Sequence, residues 1–500
     1  MARVLGAALV GVDGVPVEVE VRISAQLPRI DIVGLPELSV RESAARVRAA
    51  IAAVGEQFPQ NRVTVNLAPA ALRKGGSGLD LAIAIGILVA TGAIEAEATI
   101  GTAFVGELAL DGRLRGVRGE LAMTLAAHEA GCGSIVAPAR WSSSASLVPG
   151  LEVFTAPDLS SVLAHLRGSR RLVGRPPATR GQAIQAPPCF SEVRGQEAAK
   201  RGLLIAAAGS HGVLLSGPPG AGKTMLARRL PGILPPLRGE EALTATRIHD
   251  AAGLLGPEGA ALVDPPFRSP HHSSTVAGLL GGGTPPVPGE ASLAHGGVLF
   301  LDELPEFERR ARESLRQVLE DRCVVLARAN YTCRLPANFM LVATANPCPC
   351  GWWGSDQRVC RCESRAIERY RQRISGPLLD RIDMHIRVPG QNWSQLTQPA
   401  RGRPSSHLRQ VTERARAAQR TRSGACNADL GDANLDRDLN ATAAATALLG
   451  RAVDRLHLSA RAARRVQRVA RTIADLAEAE HIDEAEIAEA LGYREESIDE

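Results

Sequence analysis

Three short apolar runs in the middle of the chain each end at a Gly-rich or polar turn. They lie at 213–215, 298–301 and 339–345, and none of them contains a charged residue. Strands that are buried on both faces of a parallel sheet have continuous apolar runs, whereas half-buried strands alternate apolar with polar residues. We therefore predict a parallel sheet in this region, with functional residues beyond the carboxyl ends of its strands.

The N-terminal third alternates strand and helix patterns. An apolar run followed by period-two alternation at 15–23 predicts a hairpin that turns at Asp13-Gly14. Further along, the pattern predicts the following elements: a strand at 63–67, a buried helix at 79–90, strands on both sides of the Asp111-Gly112 turn, and a helix at 120–130.

Composition divides the chain into domains. Residues 168–190 contain four prolines together with Gly, Arg and Gln, which is typical of a linker. From about residue 396 the chain is Arg-rich with a helical pattern, and it ends in an acidic tail. We predict an α+β domain at 1–167, the linker at 168–190, an α/β nucleotide-binding domain at 191–392 and a helical domain at 393–500.

Charge, cysteine count and hydropathy narrow the class of protein only slightly. The formal net charge of +5 neither requires nor excludes a nucleic-acid partner. Nine cysteines, an odd number, argue against a disulfide framework. The stretch at 4–12 resembles a short signal peptide, but Asp13 interrupts it, and no apolar stretch is long enough to span a bilayer. We expect a cytoplasmic protein without a membrane partner.

The turn after the first apolar run has the pattern G-x-x-x-x-G-K-T of a phosphate-binding P-loop. The residues expected to bind ATP here are Gly217, Pro218, Pro219, Gly220, Ala221, Gly222, Lys223, Thr224 and Met225. The glycines let backbone N–H groups surround a triphosphate at a helix N-terminus. Lys223 is expected to contact the β- and γ-phosphates, and the Thr224 hydroxyl to hold Mg²⁺. The alternative is a chance Gly-rich turn, against which the order of strand, loop and helix argues.

The second apolar run ends in Asp302-Glu303. Because the carboxyl ends of parallel strands meet at one edge of a sheet, these carboxylates are expected beside the P-loop. Asp302 is the predicted Mg²⁺ ligand, acting through water, and Glu303 is the predicted base that orients and deprotonates the attacking water. The alternative is a pair of solvated carboxylates that cap the helix after Pro305.

Three further side chains are candidates for ATP hydrolysis. Asn346 ends the third apolar run, where its amide would sense the γ-phosphate or the attacking water; an ordinary turn residue is the alternative. Arg381 is the candidate guanidinium that a neighbouring subunit of a ring supplies, against an ion pair with Asp380 or Asp383. Arg461, near the start of a C-terminal helix, is a candidate nucleotide contact, against an ordinary surface arginine.

A cysteine cluster follows Asn346. Cys348, Cys350, Cys360 and Cys362 form two C-x-C pairs. Four thiolates suit a structural, tetrahedral Zn²⁺ site, although the usual spacing is C-x-x-C or longer. The alternative is four reduced thiols in a Gly-rich loop.

Five arginines form one stripe along a predicted C-terminal helix, at i, i+3, i+4, i+7 and i+10 from Arg461. Such a stripe suits DNA phosphates and would make binding strongly salt-dependent. A solvated face, or contacts with nucleotide and neighbouring subunits, is the alternative. No helix–turn–helix or zinc-finger spacing is visible, so base-specific reading is not expected.

The order of these motifs resembles that of the Mg-chelatase-like AAA+ ATPases, and most closely that of the YifB/ComM group. The resemblance covers nearly the whole chain and is carried by the P-loop, Asp302-Glu303, Asn346 and 375–383, with supporting stretches at 31–36, 40–43, 270–272, 289–295 and 302–307. It implies an AAA+ fold, a hexameric ring and ATP hydrolysis. For the ComM branch it implies DNA binding and branch migration during recombination of incoming DNA.

The resemblance also implies two loops that point into the pore of a ring. One is an insertion at about 268–293, with Gly281-Gly282-Gly283 as a mobile tip. The other is a hairpin at about 323–335 that carries Arg328 and Arg334, which suit a phosphate backbone. Rigid packing elements between subunits are the alternative.

The N-terminal domain resembles the proteolytic domain of the Lon family, a ribosomal S5 domain 2-like fold, best at 106–114. In an ungapped alignment the serine of that family falls on Gly78, with Ser77 one residue away, and its lysine falls on Leu121. A serine without a base nearby is a weak nucleophile. We therefore expect this fold without protease chemistry, serving assembly or partner docking.

The sequence leaves four candidate functions. We predict an ATP-driven hexameric motor on single-stranded or branched DNA, with branch-migration or helicase activity in recombination or natural transformation. The alternative is a Mg-chelatase-type motor subunit that remodels a protein partner, against which the Lon-like domain and the cysteine cluster argue. The absent lysine argues against a protease, and the presence of Glu303 argues against a non-catalytic scaffold.

Overall fold

The structure is a computed structural model of the chain. It describes residues 1–35, 37–70, 74–141, 143–174, 187–255, 261–283, 285–328, 331–397, 399 and 402–494. Most of the predicted linker, residues 175–186, and the end of the acidic tail, 495–500, lie outside this set. Among the described residues, no helix is long and apolar enough to cross a membrane.

The N-terminal part is a mixed seven-stranded sheet packed against helices, in the strand order β3-β4-β2-β1-β5-β8-β9. Its strands, with the separate β6–β7 hairpin, are β1 (Ala2–Val10), β2 (Asp13–Ser24), β3 (Arg29–Val33), β4 (Arg62–Ala68), β5 (Thr102–Phe104), β6 (Glu107–Leu108), β7 (Leu114–Arg115), β8 (Ser134–Pro138) and β9 (Glu152–Ala156). Its helices are α1 (Leu38–Arg41), α2 (Ser43–Ala53), α3 (Asp80–Ala90), α4 (Glu120–Glu129) and α5 (Leu159–Leu166). The elements predicted at 63–67, 79–90, 101–117 and 120–130 are thereby confirmed.

The first hairpin turns earlier than predicted. Val10 pairs with Asp13 in the antiparallel ladder, so the loop is Gly11-Val12 and the prediction of a turn at Asp13-Gly14 was wrong. Gly11 has φ +66°, which glycine adopts without steric cost. Val12 is fully buried in a cluster with residues of the central domain. The tip of this hairpin is therefore a docking point, and burying Val12 there decides the register.

The central part contains the predicted parallel sheet, in the order β11-β14-β17-β10-β18. Its strands, with two separate hairpins, are β10 (Val213–Ser216), β11 (Phe267–Arg268), β12 (Gly281–Gly282), β13 (Val287–Pro288), β14 (Val298–Leu301), β15 (Cys323–Arg328), β16 (Tyr331–Pro336), β17 (Met340–Ala345) and β18 (Met384–Arg387). Its helices are α6 (Glu197–Gly209), α7 (Lys223–Ala227), α8 (Gly239–Ala251), α9 (Val276–Leu280), α10 (Glu290–Leu293), α11 (Arg309–Asp321), α12 (Ser364–Arg371), α13 (Gly376–Leu379) and α14 (Trp393–Thr397).

Both faces of the parallel sheet are buried, as the apolar runs predicted. In β10 the side chains of Val213 and Leu215 belong to one apolar cluster, whereas Leu214 belongs to the cluster on the opposite face. Neighbouring strands divide in the same way, because successive side chains of a strand point to opposite faces. This burial leaves only the strand ends to carry polar chemistry.

The C-terminal part is helical, as predicted. It consists of α15 (Ser405–Ser423), α16 (Asp432–Asp438), α17 (Ala443–Leu456), α18 (Ala460–Leu476) and α19 (Glu484–Gly492). Helices α15 and α18 pack against α6, and their apolar residues share one cluster with β10 and α7. Short 3-10 helices complete the chain at Ala96–Thr99, Ser143–Leu147, Phe190–Glu192, Leu230–Gly232, Leu304–Glu306 and Asn427–Asp429.

The ends of the predicted linker are already attached to the flanking parts. Gly174 forms a bridge with Phe154 of β9, and Phe190 is buried in the cluster that underlies the P-loop. The boundaries at 167, 190 and 392 stay a prediction.

The two segments that the family resemblance placed in a pore are both ordered hairpin-like elements in their described parts. In the insertion, Gly281 pairs with Pro288 and Gly282 with Val287, so these two glycines form a strand and not the tip that we predicted. Strands β15 and β16 form the second hairpin, with Arg328 opposite Tyr331. Arg334 is exposed, and the side chain of Arg328 lies outside the described set.

Candidate nucleotide site and cysteine centre

The P-loop connects the end of β10 to the start of α7, with backbone geometry that requires glycine at two positions. A Cβ at residue 217 would lie 2.1 Å from the carbonyl oxygen of Val388, so only glycine lets the loop pass the neighbouring chain. Gly222, immediately before α7, has φ +92°. With that turn the first N–H groups of α7 point into the loop, where a helix N-terminus favours an anion.

Lys223 closes the loop on itself. Its Nζ donates to the carbonyl oxygens of Gly217 at 2.6 Å and Pro218 at 3.1 Å, and to Oδ1 of Asn346 at 2.9 Å. Burial lowers the pKa of this ammonium, while Asp302 and Glu303 act in the opposite direction. The predicted residues Lys223 and Asn346 therefore meet directly, as they must if both contact one γ-phosphate.

A chain of hydroxyls and a carboxylate links the P-loop to the two strands beside it. The Thr224 hydroxyl donates to Oδ2 of Asp302 at 3.0 Å, and the Thr344 hydroxyl donates to Oδ1 of Asp302 at 2.6 Å. The backbone N–H of Glu303 donates to Oγ1 of Thr344 at 2.8 Å. Glu303 has φ +55°, an unfavourable conformation for a residue with a side chain, which such contacts stabilise.

Thr344 is a site residue that sequence reasoning missed. It is fully buried in β17 and orients both Asp302 and the backbone of Glu303. The signal was present, because Thr344 is the only hydroxyl in the apolar run at 339–345. A polar side chain inside such a run needs a hydrogen-bond partner, and that partner is usually functional or structural.

The donor set fits ATP and Mg²⁺. Thr224 and Asp302 place a hydroxyl and a carboxylate side by side at the helix N-terminus, and hard oxygen ligands of this kind suit Mg²⁺. Lys223 and the α7 N-terminus supply the positive potential that a triphosphate needs. Gln196 Nε2 donates to the carbonyl oxygens of Ala221 and Pro389, which ties the segment before α6 to the P-loop.

Arg381 and Arg461 do not reach the P-loop through any contact in the described residues; both face the same carboxylate. Arg381 Nη2 lies 2.5 Å from Oε2 of Glu320, and Arg461 Nη2 lies 3.8 Å from Oε1 of that residue. The alternative that we gave for Arg381, a pair with Asp380 or Asp383, is therefore wrong in its partner. The guanidinium of Arg461 is largely exposed.

The rest of the arginine stripe on α18 is engaged within the chain. Arg464 pairs with Asp436, Arg465 with Asp383 at 2.6 Å and Arg468 with Asp432 at 3.1 Å, and Arg471 is buried against Asp475. Four of the five arginines thus pair with carboxylates of their own chain, which neither the DNA-binding stripe nor the alternatives to it predicted. A phosphate would have to displace these carboxylates, which weakens the argument for a DNA-binding stripe.

The four predicted cysteines converge. Cys348 Sγ lies 3.4 Å from Cys350 Sγ and 3.6 Å from Cys360 Sγ, and the four sulfurs all lie within 4.8 Å of one another. A tetrahedral Zn²⁺ with Zn–S bonds of about 2.3 Å has S···S edges of about 3.8 Å. The spacing therefore suits one mononuclear ion with four thiolate ligands. The backbone N–H of Arg361 lowers the pKa of Cys350 to about 6, whereas desolvation and the neighbouring thiols raise the pKa of Cys360 and Cys362. Binding of a metal would therefore release protons from the cluster.

In the N-terminal part, the aligned protease positions have other contacts. The Ser77 hydroxyl donates to the carboxylate of Glu107. Leu121 is fully buried, and its backbone N–H donates to Oδ2 of Asp250 in α8 at 2.7 Å. The position that aligns with the lysine thus lies at the contact between the N-terminal and central parts.

Three sequence models match the chain in series. The family model described as magnesium chelatase, subunit ChlI, matches residues 189–396. A second model, described as subunit ChlI of Mg-chelatase, matches residues 19–140, and a third, for the C-terminal part of subunit ChlI, matches residues 402–494. A partial match joins the chain to Lon protease 2 of Bacillus subtilis, 32% identical over 160 residues, which is 29% of this chain and 28% of that protein.

Several relatives match over nearly the full length, among them a competence protein and YifB. The competence protein ComM of Haemophilus influenzae is 41% identical over 500 residues, 99% of this chain and 97% of that protein. YifB of Escherichia coli, an uncharacterized protein, is 41% identical over 493 residues, 97% of this chain and 96% of that protein. With this geometry at the P-loop and these matches, the chain belongs to the Mg-chelatase-like AAA+ family, in its YifB/ComM group.

Proposed function

We propose that this protein hydrolyses ATP as a hexameric AAA+ motor that acts on DNA, by branch migration or helicase activity in recombination or natural transformation. The observation that carries the proposal is the meeting of Lys223 with Asn346 and of Thr224 with Asp302 at one edge of the parallel sheet. Those contacts join three strand ends into one phosphate-sized site. The family is one of ATP-dependent motors, which agrees with this chemistry.

Each side chain has one role in the proposed reaction. Lys223 holds the β- and γ-phosphates, and Asn346 orients the γ-phosphate and the attacking water. Glu303 accepts a proton from that water. Thr224 and Asp302 hold Mg²⁺, which neutralises charge that develops on the phosphate oxygens. Thr344 keeps Asp302 and Glu303 in register.

We assign Arg381 and Arg461 to the neighbouring subunit's nucleotide. The two guanidinium groups lie near different oxygens of the Glu320 carboxylate, and neither has a contact with the P-loop among the described residues of its own chain. A ring would bring this surface against the next P-loop, and an arginine supplied in this way stabilises the transition-state charge. Closure of such identical contacts requires a cyclic assembly, and a hexamer is the proposed one.

DNA is the proposed substrate because ComM is named a competence protein and because the β15–β16 hairpin presents an exposed Arg334. The alternative, a Mg-chelatase-type motor that remodels a protein partner, is favoured by the chelatase models that match all three parts of the chain. The ion pairs of the α18 arginines weaken the argument for DNA from the arginine stripe, but they do not affect the argument from the β15–β16 hairpin.

The remaining parts have supporting roles in the proposal. Residues 1–167 form a Lon-like domain, for which the partial match to Lon protease 2 gives weak support. The absence of protease chemistry is proposed from Leu121, which stands at the position of the lysine. Residues 191–392 form the ATPase domain and 393–500 its helical lid, with 168–190 as the linker. Cys348, Cys350, Cys360 and Cys362 bind one structural Zn²⁺, which the distances between their sulfurs support.

The test is the ATPase rate of the purified chain with no DNA, single-stranded DNA, forked duplex and four-way junction. We expect Mg²⁺-dependent phosphate release that one of the last three stimulates. Stimulation by none of them, in a protein that hydrolyses ATP, would favour the protein-remodelling alternative. No phosphate release under any condition would reject the proposal.

A further inference from the structure

The four cysteines lie in one loop, 347–363, that begins and ends at the nucleotide site. The loop follows Asn346 directly, so Cys348 is two residues from the amide that contacts Lys223. At its other end the loop continues into α12, where the Tyr370 hydroxyl contacts the backbone of Asn346 and burial raises its pKa to about 12. Both ends of the loop therefore constrain the position of Asn346.

The first part of the loop, directly after Cys350, contacts the P-loop itself. A Cβ at residue 351 would lie 2.4 Å from the Pro219 ring, so Gly351 is in direct contact with that ring. Gly354 accepts a hydrogen bond from Arg387 at 2.8 Å, and Gln357 donates to the carbonyl oxygen of Gln391 at 2.8 Å. The cysteine loop thus extends from Asn346 across the P-loop to the strand end beyond it.

The loop is packed on only part of its inner side. Cys348 is fully buried, and the Arg371 guanidinium lies 4.0 Å from the centroid of the Trp353 ring. Elsewhere a cavity of about 730 Å³ lies between the loop and the sheet, with walls that include Gly217, Asn346, Tyr370 and Arg387. Close packing is what ordinarily holds a segment of protein in place. Beside the cavity that support is reduced, so the loop depends on contacts at its rim and on the cysteines at its base.

A metal bound by the cysteines would supply the missing constraint. Cys348 and Cys350 lie at one end of the loop and Cys360 and Cys362 at the other, so one ion closes the intervening nine residues. Closing a loop removes conformational freedom, and metal–thiolate bonds are strong enough to order a small segment by themselves. Hydrogen bonds between thiols are weak and do not do this.

We propose that Zn²⁺ at Cys348, Cys350, Cys360 and Cys362 is a positioning element of the ATP site, which holds Asn346 against Lys223 and Gly351 against Pro219. This inference rests on the proposed ATPase function. Loss of the metal releases the base of the loop, and Asn346 and the P-loop then lose a shared support. Displacement of a reacting group by about 1 Å costs about a hundredfold in rate.

The experiment uses the full chain and begins with its metal content. We expect one zinc per chain by elemental analysis in the wild type and in Lys223→Ala, and none in Cys362→Ser. Cys426→Ser, in the C-terminal part and outside the cluster, is the matched control and should keep its zinc. Absence of bound metal from the wild type would overturn the inference.

The functional readouts are turnover, affinity for a fluorescent ATP analogue and hydrogen exchange at 345–363 and in the P-loop. Cys362→Ser should lower turnover about tenfold to a hundredfold and increase exchange in both segments, whereas Cys426→Ser should match the wild type. Asn346→Ala combined with Cys362→Ser should cost little more than either change alone, because both act through the same amide.

A second route avoids variants that fail to fold. A zinc-selective chelator in excess Mg²⁺ should produce the same losses in the wild type, and added Zn²⁺ should reverse them. Zinc that can be removed without change in turnover, affinity or exchange would overturn this inference and leave the ATPase proposal intact. If the zinc-loaded protein hydrolyses no ATP but its P-loop still becomes mobile on chelation, the proposed ATPase function would be rejected. The inference that bound zinc positions the P-loop would stand.

Discussion

The polar groups that join the P-loop to its two neighbouring strands are hydrogen-bonded to one another. Lys223, whose pKa is lowered by burial, still has three oxygen partners, and Asp302 accepts from two hydroxyls. Buried polar groups are costly when left without partners, so this network fixes the geometry before any nucleotide arrives. Substitutions of single side chains should therefore affect different steps, either ATP binding or ATP hydrolysis.

Lys223→Ala should abolish ATP binding, whereas Glu303→Gln should retain binding and stop turnover. The lysine interacts with the phosphates in the ground state, while the glutamate acts on the attacking water. Nucleotide affinity measured by fluorescence, together with phosphate release, distinguishes the two. Hydrolysis at the normal rate by Glu303→Gln would show that another group activates the water.

Thr344→Val should lower turnover about tenfold or more with a smaller effect on ATP affinity. Valine has the shape of threonine but leaves the Glu303 N–H without its acceptor, and loss of such a buried partner costs about 1–3 kcal/mol. Thr344→Ser, which keeps the hydroxyl, is the control and should remain near the wild-type rate. Equal losses in both variants would point to packing and not to the hydrogen bonds.

At the scale of elements, helices α4 and α8 join the N-terminal part to the central part. Asp250 of α8 is almost fully buried and accepts from the N–H of Leu121 in the first turn of α4. Burial raises the pKa of Asp250 to about 6, and the Leu121 N–H opposes this only in part. A second contact, Arg247 with Asp13 at 3.1 Å, lies at a more exposed position of the same junction.

Asp250→Asn should increase stability relative to the wild type at pH 7.5, with a smaller gain at pH 4.5. The folded pKa is above the ordinary value, so the neutral form is favoured on folding. The wild type therefore loses stability as pH rises through the interval from about 4 to about 6, by roughly 3 kcal/mol. Asparagine keeps an acceptor for Leu121 and does not titrate.

Thermal unfolding midpoints of both proteins between pH 4.5 and 7.5 measure this difference. Asp13→Asn is the control, since it removes an exposed carboxylate from the same junction and should leave the pH dependence of the wild type unchanged. A stability difference between Asp250→Asn and the wild type that stays constant with pH would contradict the assignment.

At the scale of the whole molecule, the proposed catalytic groups lie in two separate places. The P-loop, Asp302 and Asn346 form one group, and Arg381 and Arg461 meet at Glu320. A ring of identical subunits is the arrangement that brings two different surfaces of one chain together.

Mixtures of Arg381→Ala with Lys223→Ala should regain ATPase activity that neither variant has alone. In a one-to-one mixed ring about a quarter of the interfaces combine an intact P-loop with an intact arginine, which sets the upper limit of recovery. Arg464→Ala, whose arginine pairs with Asp436, should stay active by itself. Recovery that never exceeds the sum of the separate variants would place Arg381 in its own subunit's reaction.

Some of this site could be predicted because its signals are local. The P-loop is eight consecutive residues, and each apolar run specifies a buried strand by its own composition. Thr344, in contrast, shows its role only when β14 lies beside β17, because its partners are 41 and 42 residues away. The partner of Arg381 is even more distant, 61 residues away in α11, so neighbouring Asp380 and Asp383 were the wrong candidates.

The sequence by itself therefore determined the nucleotide-binding loop, the parallel sheet, the helical C-terminal part and the family. Only the tertiary structure decided that Gly11-Val12 forms the hairpin loop, that four arginines of the stripe are paired, and that the cysteines gather beside Asn346. The physical reason is the range of the interactions. Backbone propensity and periodic burial act between near neighbours, whereas ion pairs, hydrogen bonds and metal ligands join residues that meet only after the chain has folded.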